Sequence, residues 1–426
     1  MTWLDRLVFS RSELEPPLSF WWWSGLAIIS AVVKDNIWLH RQIYNLYPNI
    51  YVMFHADSGL KKGPPVAMAA KYVSTVNNTR VIAGRSSIQG ILKDMSQAKT
   101  TPGGKIPTTD ASVFICSSEL SSSIVEDKVA TSILTDLYDR QYRVGEWRSL
   151  LKMESFKLNN PTVTMLTATN EAHSNDFFAK KDIQGGYFAR TFIIYEHTEN
   201  RSNSLILPLK NPPNDEESIN YLKALGKLKG SFLPLGMAEK CEGYEEFWTD
   251  PLSGESGYLS KAGLIYQQWY YDFKASMKNQ FNKDETGTMN RFGDSVLKVA
   301  MLLSLAEKPE LIITERAMDE SIRKCEFLLG NVRQTTLGAK GTSLNTPLKV
   351  KIIMELLGRE NQQISHQMLL KKIWMHYKDI NEITELMASF EQAGMIRIEM
   401  NGNHIIYKMT ENQVEEYKRF FAGKTK

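Results

Sequence analysis

The apolar positions of this chain gather into short unbroken runs divided by longer polar stretches, and the two textures alternate. Ile50 to Phe54, Arg80 to Ala83, Ser112 to Cys116, Thr162 to Ala168 and Thr191 to Tyr195 read as strands, with Ile37 to Leu39 as a further short one. SVFIC at 112–116 and TVTMLTA at 162–168 run continuously rather than alternating, the pattern of strands buried on both faces of a parallel sheet. Helical stretches at Val66–Val73, Ile88–Ser96 and Ile124–Tyr138 lie between them. Strands interleaved with helices predict an α/β fold, a mostly parallel sheet with helices on both sides.

Leu18 to Val33 (LSFWWWSGLAIISAVV) is apolar and opens after Pro16-Pro17. Its 16 residues fall short of a spanning helix, which needs about 20, and no basic lead-in or cleavage site marks a signal peptide. It is expected as a buried or partner-packed helix, with membrane contact as the alternative. Residues 201–255 have little periodicity and read as a connector, whereas Leu259 to Leu337 turns helical, with Asp294–Glu307 and Thr314–Arg333 as its clearest runs. Ala339 to Pro347 reads as a linker.

The last 80 residues make a separate pattern. Helices are expected at Lys349–Leu357, Ser365–Tyr377 and Asn381–Ala393, followed by strands Met395–Met400 and His404–Met409 around Asn401-Gly402-Asn403, a hairpin signal. Three helices and a hairpin predict a winged helix-turn-helix. The expected organisation is a helical segment at 1–49 packing on the core, the core at 50–200, a connector and helical extension at 201–338, and the winged helix-turn-helix at 346–426.

Composition narrows the class. At roughly 100–200 residues per domain, 426 residues suggest two to four domains. A hydrophobic content of 42% excludes a mostly disordered chain. Cys116, Cys241 and Cys325 are far apart with no CxxC, which argues against a disulfide framework or a structural zinc site and for a reducing, cytoplasmic setting. The seven histidines are scattered and suggest no metal ligand. The net charge of +3 hides an uneven distribution: from Ala56 to Lys105 there are eight Lys or Arg against two acids, an excess suited to a polyanion.

The candidate chemistry begins in HADSGLKKG (His55–Gly63), which follows a strand and precedes a helix. A phosphate-binding loop aims backbone N–H groups and a helix N-terminus at the phosphates, with a lysine reaching the outer oxygens. Aligned on Lys62, the GxxxxGK[ST] pattern is kept only at the lysine, with Ala56, Lys61 and Gly63 at its other fixed positions. Gly59 and Gly63 supply flexible backbone, and Pro64 suits a first helical turn. Phosphate binding and an ordinary basic surface loop are both open on the local sequence. Ser117-Ser118-Glu119 follows a buried strand; Glu119 is a candidate for polarising an attacking water, or for the first turn of a capped helix. Asn170 ends the 162–168 run as a candidate γ-phosphate sensor, and Arg190, after Gly185-Gly186, as an arginine finger or a paired structural residue.

The succession LYPNIYVMFHADSGLKKG, VFICSSEL, LYDRQYRVGEWRS, NPTVTMLTATNEAH, GGYFARTFIIYE and NRFGDSVLKVAMLLSL resembles the helicase-like RecA-type P-loop ATPases of phages, prophages and mobile elements, from about Pro17 to Leu329. The resemblance implies a RecA-like P-loop NTPase core, ATP with Mg2+, and nucleotide contacts from Asp57, Ser58, Gly59, Lys61, Lys62, Gly63 and Arg291. It implies Glu119, Asn170 and Arg190 as the catalytic glutamate, the sensor and an arginine finger supplied in trans within a ring, a hexamer. Gly63 in place of Ser or Thr and Ser118 in place of Asp remove two magnesium contacts, so only Ser118 is left as a candidate near the metal. The function implied is an ATP-dependent DNA motor in phage or mobile-element replication. The alternative is a nucleotide-binding initiator, loader or scaffold with weak or no hydrolysis; a membrane-associated ATPase, resting on Leu18–Val33 alone, is a third.

For DNA, single-stranded or forked, the candidates are Lys99 and Lys105 in a basic loop, and Arg143, Trp147, Arg148 and Lys152, where cations interleave with rings. A surface hairpin with a packed Trp is the alternative there. The expected recognition helix of the C-terminal unit carries Glu382, Glu385 and Glu391 and no basic residue, which suits a replication-protein partner as well as DNA.

Overall fold

The computed structural model describes residues 1–76, 79–84, 86–118, 128–140, 146–150, 155–169, 186–201, 212–250, 254–278, 288–338, 357, 362–373, 380–392, 394–401, 404–411 and 413–414. Two compact units divide the chain, Met1–Val332 and Arg333–Lys426.

The first unit is built on five parallel strands: β1 (Tyr51–Ala56), β2 (Arg80–Ala83), β3 (Ser112–Ser117), β4 (Thr162–Thr169) and β5 (Thr191–Glu196). Their order across the sheet is β5-β1-β4-β3-β2. Every residue of β1, β3 and β4 is buried, as continuous apolar runs require. Side chains alternate between two cores. Val52, Phe54, Phe114, Cys116, Leu166 and Ala168 face one core with helices Leu18–Val33 and Gly63–Val76. Tyr51, Met53, Val113, Ile115 and Met165 face the other with helices Ile88–Met95 and Lys128–Asp139.

The chain therefore leaves β1 along one face, jumps to the far edge at β2, and returns through β3 and β4 along the other face before passing β1 to reach β5. Adjacent strands β1 and β4 send their following segments in opposite directions, and the carboxyl ends of such strands are where α/β sheets open a crevice.

Leu18–Val33 is a buried helix of the first core. Its Ser30 meets Thr164 of β4 hydroxyl to hydroxyl at 2.8 Å. Gly25 lets helix Trp3–Phe9 approach: a Cβ there would stand 2.3 Å from a Leu4 methyl. Each large aliphatic side chain buried in this layer contributes about 1.5–3 kcal/mol. Among the described residues no helix is long and apolar enough to cross a membrane.

The expected connector at 201–255 is corrected. It holds a helix, Asp215–Leu225, capped by Asn214, whose side chain accepts from the Glu217 amide at 3.1 Å. Gly230–Phe232 runs parallel to Ile37–Arg41, and Gly236–Met237, Glu246–Thr249 and Ser256–Leu259 form a three-stranded antiparallel sheet. Helices Lys261–Lys278, Thr288–Glu307 and Glu315–Gly338 follow as the helical pattern predicts, and the described parts of all three join the first core.

In the second unit Gln363–Ser365 pairs antiparallel with His404–Met409, which pairs with Ile396–Asn401. Helices His366–Ile373 and Ile380–Gln392 pack with this sheet around Leu369, Ile383, Met387, Phe390 and Tyr407. The strand at 363–365 was not legible in the sequence, and the helix expected at 349–357 lies almost wholly outside the described residues.

Candidate functional site

The carboxyl edge of the sheet gathers the loop at 57–62 and the ends of β3, β4 and β5. His55 closes β1 between Thr169 of β4 and Tyr195 of β5, in register with both, and its ring lies 4.7 Å from that of Tyr195. Ser117 stands beside Thr167, and the exposed Ser118 follows it. Glu119 and Asn170 come directly after the described residues Ser118 and Thr169 but themselves lie outside the described residues, as do Arg143 and Lys152.

The loop turns through two left-handed residues, Gly59 (φ 101°) and Lys61 (φ 48°). Glycine adopts that conformation freely; Lys61 adopts it at some strain. Lys62 curls back so that its ammonium donates to the Ala56 carbonyl at 2.6 Å and the Asp57 carbonyl at 2.8 Å. Lys61 reaches toward Glu15 at 3.9 Å. Space is open above both glycines: no atom lies within 4 Å of a Cβ built on Gly59 or Gly63. His55, beneath the loop, has its imidazole pushed down to about 4 by burial and by the Lys62 charge, so the ring is neutral near pH 7.

The loop thus offers a cation, a turn with open space and a helix N-terminus at Gly63, all at the topological switch. That N-terminus is poor in donors, because Pro64 and Pro65 carry no N–H and the first turn keeps the amides of Gly63 and Val66. Gly63 offers no hydroxyl. The residues present fit a polyphosphate better than its magnesium ion: the Ser/Thr hydroxyl is lost at Gly63 and Ser118 stands in place of an aspartate. Among the described residues no group of three His, Cys, Asp or Glu side chains is placed to hold a metal.

Arg190 and Arg291 lie elsewhere. Arg190 ends a short 3-10 turn, Phe188–Arg190, just before β5, and Thr191 pairs with Tyr51, so it sits at the amino edge of the sheet. β1 separates that edge from the Lys62 loop by about 17 Å at roughly 3.3 Å per residue. The Arg190 side chain is 4% exposed; its Nε donates to Asp139 at 2.9 Å, a second nitrogen closes on the other carboxylate oxygen, and a third donates to the Gly186 carbonyl at 2.6 Å. Arg291 bonds the same Asp139 at 3.1 Å. Burial pushes the Asp139 carboxyl up, but Arg190, with Arg291 and Lys298, holds it below the usual carboxylate range. The expected free arginine finger is therefore replaced by a buried structural pair, and Arg291 is not at the loop of its own chain.

Lys298 belongs to the same edge. It is fully buried, donates to Asn49 Oδ1 at 2.8 Å and the Asn49 carbonyl at 3.0 Å, and lies 3.7 Å over the Tyr138 ring. Burial pushes its ammonium down to about 7. Asp139, Asn49 and Lys298 carried no sequence signal, because their partners are distant in the chain. A small, half-open apolar pocket lies at this edge, against Thr191–Ile193 of β5 with Phe292, Cys325 and Leu328, well away from the loop.

The expected DNA contacts are altered too. Trp147 is buried, 7% exposed, in the second core, where it pairs across strands with Leu158. Arg148 and Lys157 both close on Glu146 at 2.5 Å, and Lys99 pairs with Asp94 at 3.0 Å. The paired strands Glu146–Leu150 and Ser155–Asn159 are thus a packed surface element, and Trp147 presents no ring for base stacking. Lys105 is exposed on the second strand of the 99–106 hairpin, opposite Thr100. Compared with models of known protein families the chain matches none, and no curated protein matches it in sequence.

Proposed function

We propose that the chain is a RecA-like nucleotide-binding protein that works with DNA, holding an ATP-class nucleotide on the 57–63 loop and hydrolysing it slowly. The observation that carries this reading is the position of Lys62: a lysine on a glycine-turned loop, at the switch between β1 and β4 of a β5-β1-β4-β3-β2 parallel sheet. On binding, the Lys62 ammonium exchanges the Ala56 and Asp57 carbonyls for phosphate oxygens, and the loop amides turn toward the same anion. Glu119 and Asn170, next in sequence after strands β3 and β4, are assigned to the attacking water and the γ-phosphate. Ser118 faces the magnesium that arrives with the nucleotide.

Slow turnover follows from what the loop lacks, a hydroxyl at Gly63 and amides at Pro64 and Pro65, and from the pairing of Arg190 with Asp139 at the far edge. A ring, the hexamer that the sequence resemblance implies, would need another residue in the role given to Arg190. The C-terminal unit is read as a winged helix whose Ile380–Gln392 helix carries acids and no Lys or Arg, which favours a protein partner over DNA there.

The second reading, a DNA motor with rapid ATP turnover, is favoured by the order of motifs along the chain. Turnover by the full chain with and without single-stranded DNA, alongside equilibrium binding of ATP to wild type and Lys62→Ala, separates the two. Binding that depends on Lys62 with slow turnover supports the binder. DNA-stimulated turnover of about 1 s−1 or faster supports the motor. Wild-type protein that binds no nucleotide overturns both.

A further inference from the structure

The antiparallel sheet formed by Gly236–Met237, Ser256–Leu259 and Glu246–Thr249 has two unlike faces. Residues opposite one another across strands point the same way. Met237 pairs with Tyr258, and Tyr258 with Phe247, so the three form one row on one face. The Phe247 and Tyr258 rings meet edge to face at 5.4 Å. The row is open: Phe247 is 62% and Met237 41% exposed.

The opposite face is anchored. Trp248 lies 6.1 Å from Tyr271 of helix Lys261–Lys278. The start of that helix presses on the strand leading in, where a Cβ at Gly263 would stand 2.2 Å from the Leu235 carbonyl oxygen. Tyr244 donates to the Pro234 carbonyl at 2.6 Å and ties down the intervening loop. The row is thus displayed on a fixed platform.

Around it the charge is one-sided. Between Glu239 and Glu255 the chain has six acids and a single base, Lys240; Glu239, Glu242, Glu245 and Glu255, in the segments leading into these strands, are exposed, whereas Glu246 alternates to the Trp248 face. Such a rim repels a phosphate backbone, so the aromatic row is not a base-stacking surface.

We propose that this face docks a basic segment of a partner protein, with an apolar anchor on Met237, Tyr258 and Phe247 and lysines or arginines against the glutamate rim. Apolar centres with charged rims are the common anatomy of such contacts. The reading is independent of the nucleotide loop.

The test uses the full chain and three short synthetic peptides: a Leu-Trp-Leu centre flanked by lysines, the same centre flanked by glutamates, and a serine centre flanked by lysines. The first should bind, and the other two at least about tenfold more weakly. Phe247→Ser with Met237→Ser should weaken binding of the first by at least about tenfold, with an unchanged melting temperature. Glu242→Gln with Glu245→Gln, which leaves the apolar row intact, should weaken it and flatten its salt dependence. Equal binding of the glutamate-flanked peptide, or unchanged binding by both variants, overturns the proposal. So does a dimer in solution that Phe247→Ser converts to monomer, which would make the face an interface between copies.

Discussion

Arg190 and Asp139 meet as a two-point ion pair at the amino edge of the sheet, buried under helix Thr288–Glu307, whose Arg291 closes on the same carboxylate. Removing one member of a fully buried pair costs about 3–5 kcal/mol, and because Asp139 would keep Arg291 the cost here falls at the lower end, about 3 kcal/mol or less. Arg190→Ala is expected to lower the unfolding free energy by that order in denaturant titrations. An arginine held free for a neighbouring subunit would leave stability unchanged and alter only turnover in the assembled state.

His55 and Lys62 are coupled through space beneath the loop. Because the Lys62 charge helps to hold the imidazole near 4, Lys62→Ala should raise the His55 midpoint, read by NMR titration of its ring protons. The pH dependence of stability follows with a definite sign. The folded-state value lies below the ordinary 6.5, so between about 4 and 6.5 the unfolded chain binds a proton that the folded one does not. Stability should fall as pH drops from 6.5 to 4, by at most about 3 kcal/mol from this group, and His55→Gln should flatten that limb of the curve.

Gly63 can accept a side chain, since nothing lies within 4 Å of its Cβ position. Gly63→Ser with Pro64→Thr restores a hydroxyl and an amide to the first helical turn. Hydrogen bonds to charged groups are worth about 1.5–3 kcal/mol, so affinity for magnesium-ATP should rise by about tenfold or more in a fluorescence titration. Unchanged affinity would place the phosphates away from this turn.

Lys298 titrates from the folded state at about 7 against an ordinary 10.5. Between these values the unfolded chain carries the extra proton, so stability should rise with pH from 7 toward 10.5. Lys298→Met, which removes the titrating group, should flatten this limb, as followed by thermal melts over that range.

The central sheet was legible because its strands are buried on both faces and announce themselves as unbroken runs: 112–116 and 162–168 each fall one residue short of β3 and β4. The sheet at 236–259 was not, because strands of two to four residues are defined by their partners rather than by periodicity of their own. For Trp147 the sequence left open a packed Trp or a DNA contact, and the structure takes the packed alternative. Its neighbours are basic, yet the alternation of the paired strand Ser155–Asn159, with Phe156 and Leu158 buried, turns the Trp inward. Lys62 was visible as a loop lysine after a strand. The partnership of Arg190 was hidden, because Asp139 lies 51 residues away and nothing local marks the pair.

The central claim, that the 57–63 loop holds the phosphates, is tested most directly by amide hydrogen exchange of the full chain with and without magnesium-ATP. The account predicts nucleotide-dependent protection of the amides from Ser58 to Gly63 and of Val66, lost in Lys62→Ala. Protection confined instead to the β5 pocket around Thr191–Ile193, with the loop unchanged, would contradict it.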